Sequence, residues 1–516
     1  MNNAVEKVLM GIYFYPRGGS AHSARALARQ LEVQGLDVTL VSGSRTDLGP
    51  IGDAHDFYKG LDVRPVDFTP ALRSGRPLGF TGAPGTAPMH GSFEDRPDAP
   101  DAVLTSFDDK RLELQVDAWA RELEAAAAGG IDRLYLHHLT PLNEAAARAL
   151  PGVPIIGHIH GTELLMLEAI EAEAPSGGRH VAAWAERLRR WAAECERLVV
   201  GDEKGVARAA RLLDLPAERF AVIPNGFDPV FAPRTTDRDA VWQGTIGLAP
   251  RGTVLAYVGR FTAVKRLPVL IEAFALAQEQ VTGPASLVLI GGHPGEWEGE
   301  HPAKTIERLG VGDVHLAGWH AHEELPRLLN AADALVHASV AEQFGQVLVE
   351  AMACGLPVIA VDRGGPSTIV DDPETGWLVE PDDPAGLAAA MVRAIADPGE
   401  RRRRGRRARQ EVIGRYAWSE IGREAAALVR GGGITSRVEG MDFDFRFRNA
   451  SGRWESVGHR KGANWMVALE ALEERTPGGL PPGRYMSRPR GRQKDWDLFL
   501  KEPDGAVSMP LPGSTV

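Results

Sequence analysis

The chain has 516 residues, 44% hydrophobic and 25% charged, a globular composition with length for about three domains. Its formal net charge of −11 argues against binding driven by overall attraction to nucleic acid or an anionic membrane. Two cysteines, Cys195 and Cys354, are too few for a disulfide framework or a Cys-rich zinc site and fit a reducing compartment.

In chain order, residues 7–15 read as a buried strand, closed by Pro16-Arg17-Gly18-Gly19. That apolar run is too short to span a membrane and lacks a small-residue cleavage site, so a cytoplasmic protein is expected. Residues 20–34 have helical periodicity, with Ala24, Leu27, Ala28 and Leu31 on one face, and residues 37–42 form the next strand. Strand, glycine loop, helix, strand is a βαβ unit of a parallel sheet. Residues 48–101 are rich in Pro, Gly and Asp, and so long an aperiodic stretch is expected to be a mobile functional loop or disorder.

A helix over 111–128, strands over 131–137 and 154–160, a helix over 181–193 and strands over 198–200 and 220–223 follow. Pro224-Asn225-Gly226-Phe227-Asp228 is turn chemistry and marks a domain boundary. The alternation then restarts, with strands over 254–258, 287–291, 334–339 and 358–361 and helices over 268–280 and 347–353. A last helix runs to about residue 430. The fold class expected is α/β: two Rossmann-like domains, 1–224 and 225–430, with a cleft between them. After Gly431-Gly432-Gly433, residues 434–516 read as a small α+β module. Phe443, Phe445 and Phe447 alternate with charged residues in a hairpin turning at 449–452, and a helix over 464–474 and a strand over 496–500 follow.

Four stretches carry chemistry. In the first, Glu342 lies in the loop after the strand 334–339, and Glu350 lies inside the next helix. That helix begins near Gly345, so its free N–H groups make an anion site at the strand's carboxyl end. Glu350 is too deep to be a cap and suits two neighbouring hydroxyls such as a ribose diol; Glu342 suits a second polyol. In the second, Gly259-Arg260 and Lys265 follow the strand 254–258. Gly259 permits close approach, and the two cations suit a diphosphate. The third is Gly18-Gly19 ahead of the first helix, and the fourth is His158-Ile159-His160-Gly161 at a strand end. His137-His138 and His320/His322 read as packing or surface residues.

Taken together in this order, Gly18-Gly19, His160-Gly161, Pro224 to Asp228, Gly259-Arg260 with Lys265, and Glu342 through Glu350 resemble the GT-B retaining glycosyltransferases of family 4 (glycosyl transferases group 1). The resemblance covers about residues 5–430. It implies a nucleotide-sugar donor held mainly by the second domain. Arg260 and Lys265 neutralise the diphosphate, Glu350 binds the ribose and Glu342 the transferred sugar. The amides of Phe344, Gly345 and Gln346 approach the sugar or phosphates, Gly18 and Gly19 let the first domain touch the diphosphate, and His160 lines the reaction centre. In such enzymes the acceptor attacks the face the phosphate leaves, and a phosphate oxygen takes the proton. No protein nucleophile, cofactor or metal is expected. His160, Arg260, Lys265 and Glu342 are the implied catalytic set.

The acceptor expected is a soluble small molecule, such as an intermediate of a specialised metabolite, and neither nucleic acid nor integral membrane contact is expected. Two alternatives are a nucleotide-sugar-binding scaffold without turnover and a transferase for a lipid or polysaccharide. A dehydrogenase is set aside, because neither domain's first strand is followed by Gly-x-Gly-x-x-Gly. The tail has no counterpart in the family pattern and is a candidate surface for homo-oligomer formation. Its Asp442-Phe443-Asp444 is strand alternation, not a metal motif. The seven arginines of residues 401–409 read as a solvated helix face. Arg484, Arg488, Arg490, Arg492 and Lys494 read as a basic loop, either solvated or reaching an anionic substrate or a neighbouring subunit.

Overall fold

In the computed structural model the described residues are 6–93, 100–172, 180–292, 298–342, 344–432, 441–448, 454–462, 483–489, 497–501 and 507–508. They group into two compact units, Met1–Asn225 with Ile421–Thr435 and Gly226–Glu420 with Ser436–Val516.

The first unit is built on a parallel sheet of seven strands: β1 (Lys7–Ile12), β2 (Asp37–Ser44), β3 (Asp62–Asp67), β4 (Arg133–His137), β5 (Ile155–His158), β6 (Arg197–Val200) and β7 (Phe220–Val222). Their order is β3-β2-β1-β4-β5-β6-β7. The strands read as near-continuous apolar runs because helices cover both faces, as parallel sheets require. Trp119, Trp184 and Trp191 are fully buried in that cover. The β4–β5 register sets His137 opposite His158, at the carboxyl ends of two neighbouring strands. The strand expected over 154–160 stops at His158. Gly161, at φ 93°, then opens the helix Thr162–Glu171, so His160 sits in the turn between them.

The expectation that 48–101 is a mobile loop does not hold for its described residues. They supply the edge strand β3 and the short helices Ala54–Phe57 and Thr69–Arg73. Asp67 bridges to Thr86, and Ser92 to Val103. Tyr58, Phe68 and Met89 are each completely buried. Widely spaced apolar anchors hold this segment to the sheet, a pattern that periodicity does not detect.

A parallel sheet of six strands forms the second unit: β8 (Thr253–Gly259), β9 (Ala285–Gly291), β10 (Val314–Gly318), β11 (Ala334–His337), β12 (Val358–Val361) and β13 (Gly376–Val379). The order β10-β9-β8-β11-β12-β13 reverses direction between β8 and β11. That is the topological switch point, where open α/β sheets bind ligands. Both faces are buried, one under the helix Gln346–Ala353 and the other under Leu267–Gln278 and Pro384–Ala396.

The arginine run is a solvated face only in part. It lies in the helix Pro398–Tyr416, whose buried side includes Arg401, Arg404, Gly405 and Ala408, while Arg402, Arg403, Arg406 and Arg407 are exposed. Arg404 is fully buried, stacks on Trp377 at 4.3 Å and pairs with Asp372 at 3.1 Å.

The terminal strands β14 (Met441–Arg448), β15 (Trp454–Gly462), β16 (Gly483–Pro489), β17 (Asp497–Lys501) and β18 (Val507–Ser508) form an antiparallel sheet in the order β15-β14-β16-β17-β18. Asp442-Phe443-Asp444 lies within the β14–β15 ladder. Arg484 and Arg488 belong to β16 and not to a loop, whereas Arg490, Arg492 and Lys494 lie outside the described residues, as do the turn at 449–452 and the helix at 464–474. Phe447 packs against the core of the second unit. Among the described residues no helix is long and apolar enough to cross a membrane.

Candidate functional site

The switch point of the second unit is lined by two loops, one after β8 and one after β11, that hydrogen-bond to each other. The Val340 amide donates to the Val264 carbonyl at 3.0 Å, and the Ser339 hydroxyl donates to the same oxygen at 3.3 Å. This stitch brings the cation loop 259–266 against the carboxylate loop 338–345. Lys265 Nζ forms an ion pair with Glu342 Oε2. His337, the last residue of β11, places Nε2 3.0 Å from the same Oε2 and lies parallel to the Tyr257 ring of β8. The Tyr257 hydroxyl donates to the Arg260 carbonyl at 2.8 Å, and Arg260 itself is exposed.

Burial alone would raise the Glu342 pKa, but the hydrogen bond from His337 and the positive charge of Lys265 outweigh it and hold the group at about 2. Burial drives the His337 pKa down, so His337 is neutral and donates through Nε2–H. A second clamp acts from behind. The Gly365 amide donates to the Glu342 carbonyl at 2.9 Å, and a Cβ at Gly365 would lie 1.9 Å from the Phe344 carbonyl oxygen. Only glycine allows that approach.

Glu350 is 2% exposed inside the helix Gln346–Ala353. Its Oε1 faces His322 Nε2 at 2.8 Å and accepts from Gln346 Nε2 at 3.2 Å. Burial pulls the His322 pKa down, but the hydrogen bond and charge of Glu350, with Asp228 and Glu323 behind, bring it above its ordinary value. Gln346 also donates to the Gly226 carbonyl at 2.7 Å, so its side chain ties the helix start to the turn at the head of this unit. Gly345 takes φ 104° as the helix N-cap, a conformation that favours glycine. Phe344 packs edge-on against Tyr416 at 5.6 Å.

Arg260, Lys265, Glu342, Phe344, Gly345, Gln346 and Glu350 therefore lie on the loops and helix start at the carboxyl ends of β8 and β11, with Gly259 ending β8. His337, His322 and the Gly364-Gly365 turn are the members that sequence reasoning missed. The sequence reads His322 as a packing or surface residue, and the structure corrects this. The signal available was weak: a single histidine in an otherwise apolar strand, and a Gly-Gly pair one strand further on.

Gly18, Gly19 and His160 belong to the first unit. Gly18, at φ 70°, opens the helix Gly18–Val33, and both glycines are exposed. His160 is the partly exposed member of a histidine cluster. Its Nε2 lies 2.9 Å from His137 Nδ1, its ring stacks on His158 at 4.3 Å and 11°, and His138 covers it at 4.5 Å. His158 is fixed by the Tyr135 hydroxyl at 3.0 Å, and the His160 amide donates to Glu163 Oε1 at 3.2 Å. His137 and His138 are thus part of this site, not remote packing residues. Burial, then repulsion from the neighbouring rings, drives the pKa values of His137 and His160 well below 6.5, and that of His158 to about 3.

Among the described residues, His137, His158 and His160 are the group whose ligand atoms come within 4.8 Å of one another, close enough to raise the question of a metal ion. Ligands of one ion must aim their in-plane lone pairs at a common point. Here the His158 and His160 planes are 11° apart and stacked, so their lone pairs run side by side. The arrangement is a stack with one edge-to-edge contact and does not fit a chelate.

Comparison with known proteins decides the family. Residues 242–411 match the family described as "Glycosyl transferases group 1", and residues 17–231 match "Glycosyltransferase Family 4". The chain is 31% identical to the D-inositol 3-phosphate glycosyltransferase of Salinispora arenicola over 57% of this chain and 67% of that protein. It is 30% identical to the alpha-maltose-1-phosphate synthase of Mycolicibacterium smegmatis over 55% of this chain and 74% of that protein. The chain belongs to the family-4 glycosyltransferases. The match to the D-inositol 3-phosphate glycosyltransferase of Nocardia farcinica is 34% identical over 44% of this chain, and spans about half of that relative, 51% of its length. Among solved structures, this family-4 chain resembles the sucrose-phosphate synthase of Thermosynechococcus elongatus, with a TM-score of 0.60 at 21% identity over 83% of this chain and 98% of that one. It also resembles Anabaena HepE in complex with UDP and glucose, with a TM-score of 0.60 at 20% identity over 82% and 99%. These likenesses show the fold, which is GT-B.

Proposed function

We propose that this protein is a retaining glycosyltransferase that moves a sugar from a nucleotide-sugar donor to a hydroxyl of a small-molecule acceptor, without a protein nucleophile or a metal. The observation that carries the reading is the Lys265–Glu342–His337 arrangement at the switch point, with Glu350 held beside it by His322 and Gln346. Departure of a nucleoside diphosphate builds negative charge. A cation fixed before the reaction stabilises that charge without reorganising in the transition state. Glu342, ionised and held at one oxygen, is left with the other for sugar hydroxyls, and Glu350 is placed likewise for the ribose diol. Arg260 adds a second cation to the diphosphate, and the amides of Phe344, Gly345 and Gln346 meet its oxygens or the sugar. The family resemblance assigns Gly18, Gly19 and His160, all in the first unit, to the diphosphate and the sugar under transfer. The phosphate oxygen that leaves takes the acceptor's proton, so the atoms balance without a general base from the chain.

The relatives' names, a D-inositol 3-phosphate glycosyltransferase and an alpha-maltose-1-phosphate synthase, make phosphorylated polyols and sugar phosphates the first acceptors to test. A thermal-shift screen against UDP-, GDP-, ADP- and TDP-sugars identifies the donor by mass action. NMR of the product's anomeric centre then separates retention from inversion. Lys265→Ala and Glu342→Ala are expected to lower turnover by about 10²-fold or more while the melting transition remains cooperative. Wild-type turnover in either variant refutes the site. Donor stabilisation with no product from any acceptor supports a binding scaffold instead.

A further inference from the structure

His137 has one ring nitrogen against His160 and the other, Nε2, buried with no hydrogen-bond partner among the described residues. Its side chain is fully buried at the end of β4, directly opposite His158 in the register. Both rings of the His137–His160 contact are neutral, held so by burial and by the neighbouring imidazoles. Two neutral imidazoles 2.9 Å apart share one proton: one nitrogen donates and the other accepts. Two arrangements are available, and they differ in what they leave on His137 Nε2. If His160 donates, His137 must carry its proton on Nε2, as a buried N–H with nothing to receive it. If His137 donates, Nε2 carries a lone pair instead. Among backbone groups, orphaned buried N–H donors are rarer than under-used acceptors; carried over to the imidazole, that preference favours the second arrangement. His160 then accepts at Nε2 and, being neutral, must carry its own proton on Nδ1.

We propose that His137 is a positioning residue that locks His160 as the neutral imidazole protonated on Nδ1, so that His160 offers an N–H to the substrate. The surrounding contacts serve the same end. His158, pinned by Tyr135, and His138 cover the His160 ring, and Glu163 holds the His160 backbone amide. These contacts oppose the ring flip that would exchange its two nitrogens. The side presented to a sugar oxygen is a hydrogen-bond donor. The catalytic consequence rests on the reading that His160 serves the sugar under transfer; the tautomer itself does not.

Two measurements test this. In protein labelled with 15N-histidine, with His160 assigned by its loss in His160→Gln, long-range nitrogen–proton correlation spectra report which nitrogen carries the proton. Nδ1 is expected to carry it in the wild type, and His137→Ala is expected to give a mixture of tautomers. A His160 proton on Nε2 in the wild type overturns the proposal. In kinetics, His137→Ala is expected to lower kcat roughly 10–100-fold, by analogy with the loss seen when a residue that orients a metal-ligating histidine is removed. The donor KM should stay within about twofold, because an interaction made in the transition state is lost and not ground-state binding. His137→Asn returns an N–H to the Nδ1 position and should recover most of kcat. Wild-type kcat in His137→Ala, alongside an impaired His160→Ala, overturns the proposal. An unimpaired His160→Ala sinks the placement of His160 and with it the catalytic consequence, while the spectra still decide the tautomer.

Discussion

Glu342 shows why a partly buried carboxylate at this position stays ionised. Its side chain is only 19% exposed, which by itself favours the neutral acid. His337 and Lys265 both meet Oε2, and their combined effect moves the group from its ordinary 4.5 to about 2. A shift of that size corresponds to about 3 kcal/mol of stability, as an upper figure. A depressed carboxylate contributes its full stabilisation above the unfolded value and loses it as the pH falls through the folded one. The wild type is therefore expected to melt above Glu342→Gln at neutral pH, with the gap holding down to about pH 4.5 and closing toward pH 2. Melting temperatures of both proteins across that range check this; a gap that stays constant means Glu342 is not ionised by its neighbours. The same residue explains what the sequence discloses of the site. One carboxylate and two cations in glycine-containing loops after strands, with a second carboxylate inside the helix that follows, are visible without coordinates, because few structural needs put them there. His337 and His322 are not visible, because a histidine's role is set by what faces it, and here the facing carboxylates come from a loop five residues on and from a helix packed against the His322 loop.

Among the elements, the helix Pro398–Tyr416 departs most from its reading in sequence, and arginine chemistry is the reason. A pattern that counts arginine as polar sees a solvated helix. The guanidinium of Arg404 finds enough partners to be buried: Glu400 one turn away, Asp372, the Gly376 carbonyl and the face of Trp377. Next to it, a Cβ at Gly405 would meet the Gly355 carbonyl oxygen at 2.0 Å, so the helix crosses that turn at backbone contact. The buried stripe 401, 404, 405, 408, 412 is helical in spacing, but two of its members are arginines. The segment 48–101 fails for the opposite reason: its anchors are apolar but irregularly spaced, so no period marks them. The parallel strands, by contrast, were legible, since burial on both faces leaves continuous apolar runs. Removing Arg404 leaves Glu400 and Asp372 without their buried cation. Arg404→Ala is expected to cost about 3–5 kcal/mol, and Arg403→Ala, on the exposed side, no more than about 0.5 kcal/mol. Urea unfolding of the two variants measures both. Equal small losses would mean that the buried pairing contributes nothing.

On the scale of the whole molecule, the chain leaves the second unit and ends its described helices on the first. The helix Trp418–Val429 carries that return, and its residues from Ile421 group with the first unit. Ile421, Ala425, Leu428 and Val429 are buried. Gly422 lies against Gln30 of the helix Gly18–Val33, where a Cβ would meet Gln30 Cβ at 2.5 Å, and Arg430 donates to the Gln34 carbonyl at 2.7 Å. The first unit therefore depends on a segment encoded nearly two hundred residues after its last strand. Two shortened chains separate this dependence from the role of the terminal sheet. A chain ending at residue 432 keeps every strand of both parallel sheets and the returning helix and, among the described residues, gives up the packing of Phe447 and its sheet. It is expected to melt cooperatively and to be stabilised by the same nucleotide-sugar as the full chain. A chain ending at residue 420 uncovers the helix Gly18–Val33. Roughly 1–3 kcal/mol is lost for each large apolar side chain exposed, which is a substantial part of the 5–15 kcal/mol typical of a domain. Calorimetry should then show the transition of the first unit at lower temperature, while donor binding by the second unit survives. If the chain ending at 420 melts like the one ending at 432, the returning helix is a passenger, and the first unit is complete by residue 225.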